Sequence, residues 1–151
     1  MNRMWKQTGT SLIEILVTVV ILSVSLLSMA ALQTQSLKLN QSAMMRSQAN
    51  IMAYEMMDRI RINRGTNSTN IGNYSADYDE TPSGNTLATQ DVSDWRTGLA
   101  SALPSGEGAI ACVSATRLCE VSVKWSEEQI FGTASDSNTE ATTEFVYQSS
   151  I

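Results

Sequence analysis

Between Leu12 and Leu32 the chain reads LIEILVTVVILSVSLLSMAAL, an apolar block that a small globular core has no room to absorb. A helix needs about twenty such residues to cross the hydrocarbon core of a bilayer, so the block is long enough to span. Arg3 and Lys6 precede it and no comparable basic cluster follows at once. The positive-inside rule then keeps the N-terminus in the cytoplasm and sends the remainder outward, which in a Gram-negative cell means the periplasm. What remains beyond the block and its helical continuation is one small domain of roughly 90 residues.

Glu14 lies just inside this run. A carboxylate in hydrocarbon costs about 2.5–3.5 kcal/mol on insertion scales, so it needs a reason. Three readings of the N-terminal region compete: a secretory signal cut after Ser28-Met29-Ala30, a permanent anchor, or a leader removed before the apolar run. The first two give the carboxylate no task beyond reaching back to the lipid headgroups, which its place near the helix end permits.

Composition narrows the function classes. The chain has no histidine, and with it go the commonest general base and the commonest transition-metal ligand. No nucleophile stands beside a base, and no phosphate loop or metal-ligand spacing occurs, so we expect neither an enzyme nor a cofactor. Acids outnumber Lys and Arg by 15 to 10, and two of those cations are Arg3 and Lys6, so the rest of the chain is a poor match for nucleic acid. Cys112 and Cys119 are close together and even in number, which in an exported domain predicts a disulfide.

Past Leu32 the sequence turns polar but keeps Met45, Ala49, Met52, Met56 and Ile60 at helical spacing. Neither proline nor glycine interrupts it between Thr10 and Arg64. The spacing predicts one helix of about 53 to 55 residues and about 80 Å, apolar in its first half and amphipathic in its second. Glu55 and Arg59 form a favourable i,i+4 pair near its end, and Gly65 is the expected stop. The methionines could line an adaptable binding groove, but their periodicity reads as a core stripe.

Residues 65 to 90 are rich in Asn, Ser, Thr and Gly and read as a long loop with little to bury. Its acids Asp77, Asp79 and Glu80, like Asp136 and Glu140 further on, lack the spacing of a calcium loop and are expected to be solvated. A short helix should come next, capped by Asp91 or Ser93, packing Trp95, Leu99 and Leu103 on one face and stopped at Pro104. Ser105-Gly-Glu-Gly turns the chain towards Ala109–Val113, and Val121, Val123 and Trp125 alternate with polar residues as in a half-buried strand. A Cys112–Cys119 bridge would staple the hairpin, and Thr143–Gln148 would add a last strand. The expected class is α+β, a long helix against an antiparallel sheet of three or four strands.

Gly9-Thr10-Ser11-Leu12-Ile13-Glu14 resembles the class III prepilin signal, a short basic leader ending in glycine with glutamate five residues after that glycine. The resemblance implies a type IV pilin fold and cleavage by prepilin peptidase between Gly9 and Thr10, with N-methylation of the new amine. Thr10 departs from the phenylalanine most members carry there. The implied organisation is a leader over 1–9, a transmembrane half-helix over 10–32, an amphipathic half-helix over 33–64 and a periplasmic region over 65–151. Glu14 would pair with the Thr10 ammonium of a neighbouring subunit. Such a pair sets register more than it adds stability, because desolvation offsets much of the Coulomb gain. Where many major pilins carry glycine and proline in the membrane half, this chain has Ser23, Ser25, Ser28 and Ala31.

Met57–Arg64, Ser93-Asp94-Trp95 with Leu103-Pro104, and CVSATRLCEVSVKW are similar to segments of PilV-type minor pilins. That likeness implies a subunit that primes pilus assembly and travels to the fibre tip, with roles in motility and cell adhesion. Its partners would be other minor pilins, the major pilin, prepilin peptidase and the inner-membrane assembly platform. The nearest alternative is a minor pseudopilin of a type II secretion system. A tethered periplasmic binding module or enzyme, using the Asn/Ser-rich loop and the carboxylates, is the rival of another class.

Overall fold

The computed structural model describes residues 11–66, 69–80, 84–131 and 142–151. Gly9 and Thr10, and the acids Asp136 and Glu140, lie outside them. The fold is α+β, with one long N-terminal helix and a three-stranded antiparallel sheet. Helix α1 covers Leu12–Ile62, 51 residues without a break, as the absence of glycine and proline predicts. The chain divides into two compact units, Met1–Leu39 and Asn40–Ile151.

In the first unit every described side chain up to Leu37 is exposed. The helix is long and apolar enough there to cross a membrane, and none of that stretch is buried by the chain itself. Its hydroxyls fit such a setting. Thr18, Ser23, Ser25 and Ser28 each donate to a carbonyl three or four residues back, at 2.7–3.0 Å. Every polar atom they bring is thereby satisfied inside the helix, which hydrocarbon demands.

In the second unit α1 supplies the floor of the core. Ala49, Met52, Met56 and Ile60 are buried as the spacing predicts, together with Ala53 and Met57, while Met45 is partly buried against them. The methionines of the stripe are core. The helix ends with the Asn63 amide bonded to Arg59 O at 3.1 Å, and Gly65 turns left-handed at φ +69.

The polar stretch after the helix corrects the sequence reading. Ile71–Tyr74 form a 3-10 turn, and Ile71, Tyr74 and Ala76 join the core. Three apolar residues among Asn, Ser and Gly were enough, because their neighbours hold the turn while these side chains point inward. Helix α2 covers Leu87–Ala102 and also begins earlier than expected. Its cap is Thr86, whose hydroxyl accepts from Thr89 N at 3.2 Å, so Asp91 and Ser93 lie inside the helix. Its end is as predicted: Leu103 turns extended before Pro104, and Trp95, Leu99 and Leu103 are buried. The Trp95 indole donates to Met52 O at 2.9 Å, which gives a buried polar atom its partner and pins α2 to α1.

Strands β1 (Glu107–Val113), β2 (Leu118–Ser126) and β3 (Thr142–Ser150) form the sheet in that order, all antiparallel. Helix α3, Glu128–Phe131, follows β2. Cys119, Val121, Val123 and Trp125 face the core from the central strand. Ser122, on the opposite face, is also buried. Gly106 and Gly108 do more than turn the chain. A Cβ on Gly106 would sit 2.4 Å from the Leu99 carbonyl oxygen, and one on Gly108 would sit 2.4 Å from the Trp95 ring. Both glycines exist so that α2 can lie directly on β1.

Candidate functional site

Glu14 stands in the first turn of α1, its amide bonded to Ser11 O at 3.0 Å. A carboxylate in that position gains about 0.3–1 kcal/mol from the positive end of the helix. The cost of a carboxylate in hydrocarbon, about 2.5–3.5 kcal/mol at the bilayer centre, is smaller this near the helix end. Its expected companions, Gly9 and Thr10, and with them the cleavage and methylation sites, lie outside the described residues.

The cysteines are joined. Cys112 and Cys119 are direct partners across β1 and β2 with their Cα atoms 4.2 Å apart, and the disulfide staples the hairpin next to its last pair, Val113 with Leu118. Closing so small a loop removes chain entropy worth about 2–3 kcal/mol.

Three polar clusters hold the domain together, and of their contacts only the Glu55–Arg59 pair is legible in the sequence. The first centres on Glu127, which is only 6% exposed. It accepts from Ser42 Oγ at 3.0 Å and from the Trp125 indole at 3.3 Å, and Arg46 Nε lies 3.8 Å away. Ser42 and Arg46 are on α1, so this carboxylate fastens the end of β2 to the helix. The only hint was a helix hydroxyl and a cation one turn apart, with no sign of the acid that would reach them.

The second cluster joins three elements. Arg59 bonds Glu55 at 2.7 Å, as the i,i+4 spacing predicts, and also meets Asp91 of α2 at 3.4 Å. Asp91 in turn accepts from the Tyr74 hydroxyl at 2.7 Å, and that hydroxyl accepts from Asn63 at 2.8 Å. Asp91, expected as a cap, is a bridge instead. Burial, seconded by the bond to Asp91, pushes the Tyr74 phenol up to about 12 from its usual 10.0. A phenol whose folded pKa is raised contributes stability that is complete below pH 10.0 and disappears as pH rises through about 12. Tyr74→Phe should therefore flatten the loss of stability across that window, as urea midpoints measured at intervals from pH 9 upward would reveal. An unchanged slope would show that Tyr74 does not titrate with unfolding.

The third cluster runs from α2 past the β1 edge to the sheet's outer face. Arg96 donates through Nε to Gly108 O at 3.0 Å and through its other nitrogens to the carbonyls of Asp77 and Glu80. The acidic loop is thus already organised about a cation, the guanidinium. Among the described residues no group of three or more Asp, Glu, Cys or His is placed to hold a metal ion. Nearby, Tyr78 donates to Glu144 at 2.8 Å and carries Lys124 Nζ 4.6 Å from its ring centre, while Lys124 also pairs with Glu107 at 2.8 Å. Tyr78 explains why Ser122 is covered. Burial and the Glu144 bond raise its phenol above the usual range.

In each cluster the acids meet a hydrogen-bond donor or a cation. The chain matches no protein-family model, no curated protein and no solved structure.

Proposed function

We propose that the chain is a minor subunit of a type IV pilus, of the PilV kind, made with a leader that prepilin peptidase removes after Gly9. One observation carries this reading: α1 presents a wholly exposed apolar half with a single carboxylate, Glu14, in its first turn. Lipid accounts for the apolar surface. It gives the carboxylate no partner, only the headgroups within reach of the helix end. A neighbouring subunit's Thr10 ammonium, made available by cleavage, would be that partner in an assembled fibre. The chain would then wait in the inner membrane with residues 65–151 in the periplasm and move into the pilus, near the tip, with other minor pilins.

The domain suits an interaction role because its polar groups are spent on holding elements together. Its stapled hairpin fits an oxidising compartment. Shearing fibres from cells and probing for the chain tests the reading. It should appear in the sheared fraction and vanish from it when the pilus assembly platform is deleted, with the membrane pool retained. A chain confined to the membrane fraction in piliated cells would contradict the proposal and favour a short periplasmic pseudopilus.

A further inference from the structure

Tyr54 of α1 and Tyr147 of β3 meet with their ring centres 4.2 Å apart and their planes tilted by 44°. Aromatic pairs usually keep about 4.5–7 Å between centres, so these two stand unusually close. Their phenols share a hydrogen bond, which is the main reason the Tyr54 hydroxyl is raised above its usual 10.0. Arg61, further along α1, fixes the strand beside them by donating to Ser149 Oγ at 2.8 Å.

The pair is also open to solvent. Tyr54 is 44% exposed and Tyr147 is half-buried. The chain's other two tyrosines lack this combination. Tyr74 is fully buried with its hydroxyl bonded to Asp91, and Tyr78 donates to Glu144 with the Lys124 ammonium over its ring. A positive charge over a ring opposes the loss of an electron from it.

We propose that Tyr54 and Tyr147 form an oxidative cross-linking site, joined by one-electron oxidants through a bond between their ortho carbons. Each phenol yields one electron to the oxidant and its proton to water. The two rings then bond, and the hydrogens displaced from the bonding carbons pass to the oxygens, so the net loss is two hydrogens. The oxidant is of the peroxide-charged haem or peroxyl-radical class. Hydrogen peroxide alone takes two electrons at once and would go to a thioether such as Met44, which is 74% exposed. Two rings already in contact react with each other before either meets a second molecule, because their effective concentration is far above that of any free partner. The product would tie the last strand to α1, which the Cys112–Cys119 bridge between β1 and β2 does not do. It would also close a long loop and so constrain the unfolded chain. The site does not rest on the pilin reading.

The test uses the full chain in detergent micelles, illuminated with a ruthenium tris-bipyridine complex and persulfate, which accepts the electrons. The monomer should lose two hydrogens, show the blue fluorescence of dityrosine and release on digestion one peptide pair joined between Tyr54 and Tyr147. Tyr54→Phe and Tyr147→Phe should each lower that product about tenfold or more, whereas Tyr78→Phe should leave it unchanged. Unfolding the wild-type chain in urea should lower it as far, a control that needs no variant to fold. Dityrosine confined to covalent dimers, or absent altogether, would overturn the proposal. So would an equal yield from the urea-unfolded chain, or a full yield in Tyr54→Phe.

Discussion

Glu14→Ala is expected to leave the chain in the membrane and to remove it from fibres. The two readouts move in opposite directions because the carboxylate has opposite value in the two settings. In lipid it has no partner and costs up to about 2.5–3.5 kcal/mol, so its loss makes insertion easier or leaves it unchanged. In the fibre its loss strands the partner ammonium, and breaking a buried pair costs about 3–5 kcal/mol, a hundredfold or more in occupancy. Quantifying the chain in sheared and membrane fractions of the same cells checks both. Equal fibre content in mutant and wild type would mean that Glu14 only reaches the headgroups.

The largest effect on stability is expected at Gly108. Alanine there would place its Cβ 2.4 Å from the Trp95 ring, and the ring cannot give way easily because its indole nitrogen is fixed to Met52 O. Overpacking of this kind costs about 1–3 kcal/mol, which in a domain of this size lowers the melting temperature by about 5–20 °C. The clash is with the outer ring of the indole, so Trp95→Phe should relieve part of it. The double mutant should then lose less than the two single mutants combined. Strictly additive losses would mean that Gly108 matters for its backbone or for Leu99, whose Cδ1 would lie 2.6 Å from the new Cβ, and not for the ring it faces.

How far these features could be read in advance depended on whether their causes were local. The extent of α1, its buried stripe, the stop of α2 at Pro104, the hairpin and the last strand each come from spacing along the chain, and each appears where the spacing puts it. Thr86 escaped notice as a cap because Asp91 and Ser93 offered the same chemistry a turn later, nearer Trp95. Ile71 and Tyr74 were hidden in a polar stretch whose average conceals them. Glu127 finds Ser42, 85 positions away, and Arg96 finds the carbonyls of Asp77 and Glu80, 19 and 16 positions away. No periodicity announces pairings of that kind. Gly106 and Gly108 are legible as glycines, but whether a glycine serves a turn or a close approach depends on what lies opposite.

Glu14 is the reverse case. Its type and position were plain in the sequence, yet its partner on this account belongs to another subunit, so a single chain leaves it exposed in the first turn of α1. The domain beyond residue 40 buries Trp95 and Trp125, whereas the apolar half-helix is left uncovered by the chain itself.

The most direct test of the pilin reading is the N-terminal sequence and intact mass of the chain purified from cells with and without prepilin peptidase. The account predicts a start at N-methylated Thr10 only where the peptidase is present, with a mass short by the two hydrogens of the Cys112–Cys119 bridge. A start at Ala31, or an uncut Met1 in both strains, would contradict it and return the chain to an exported or simply anchored domain.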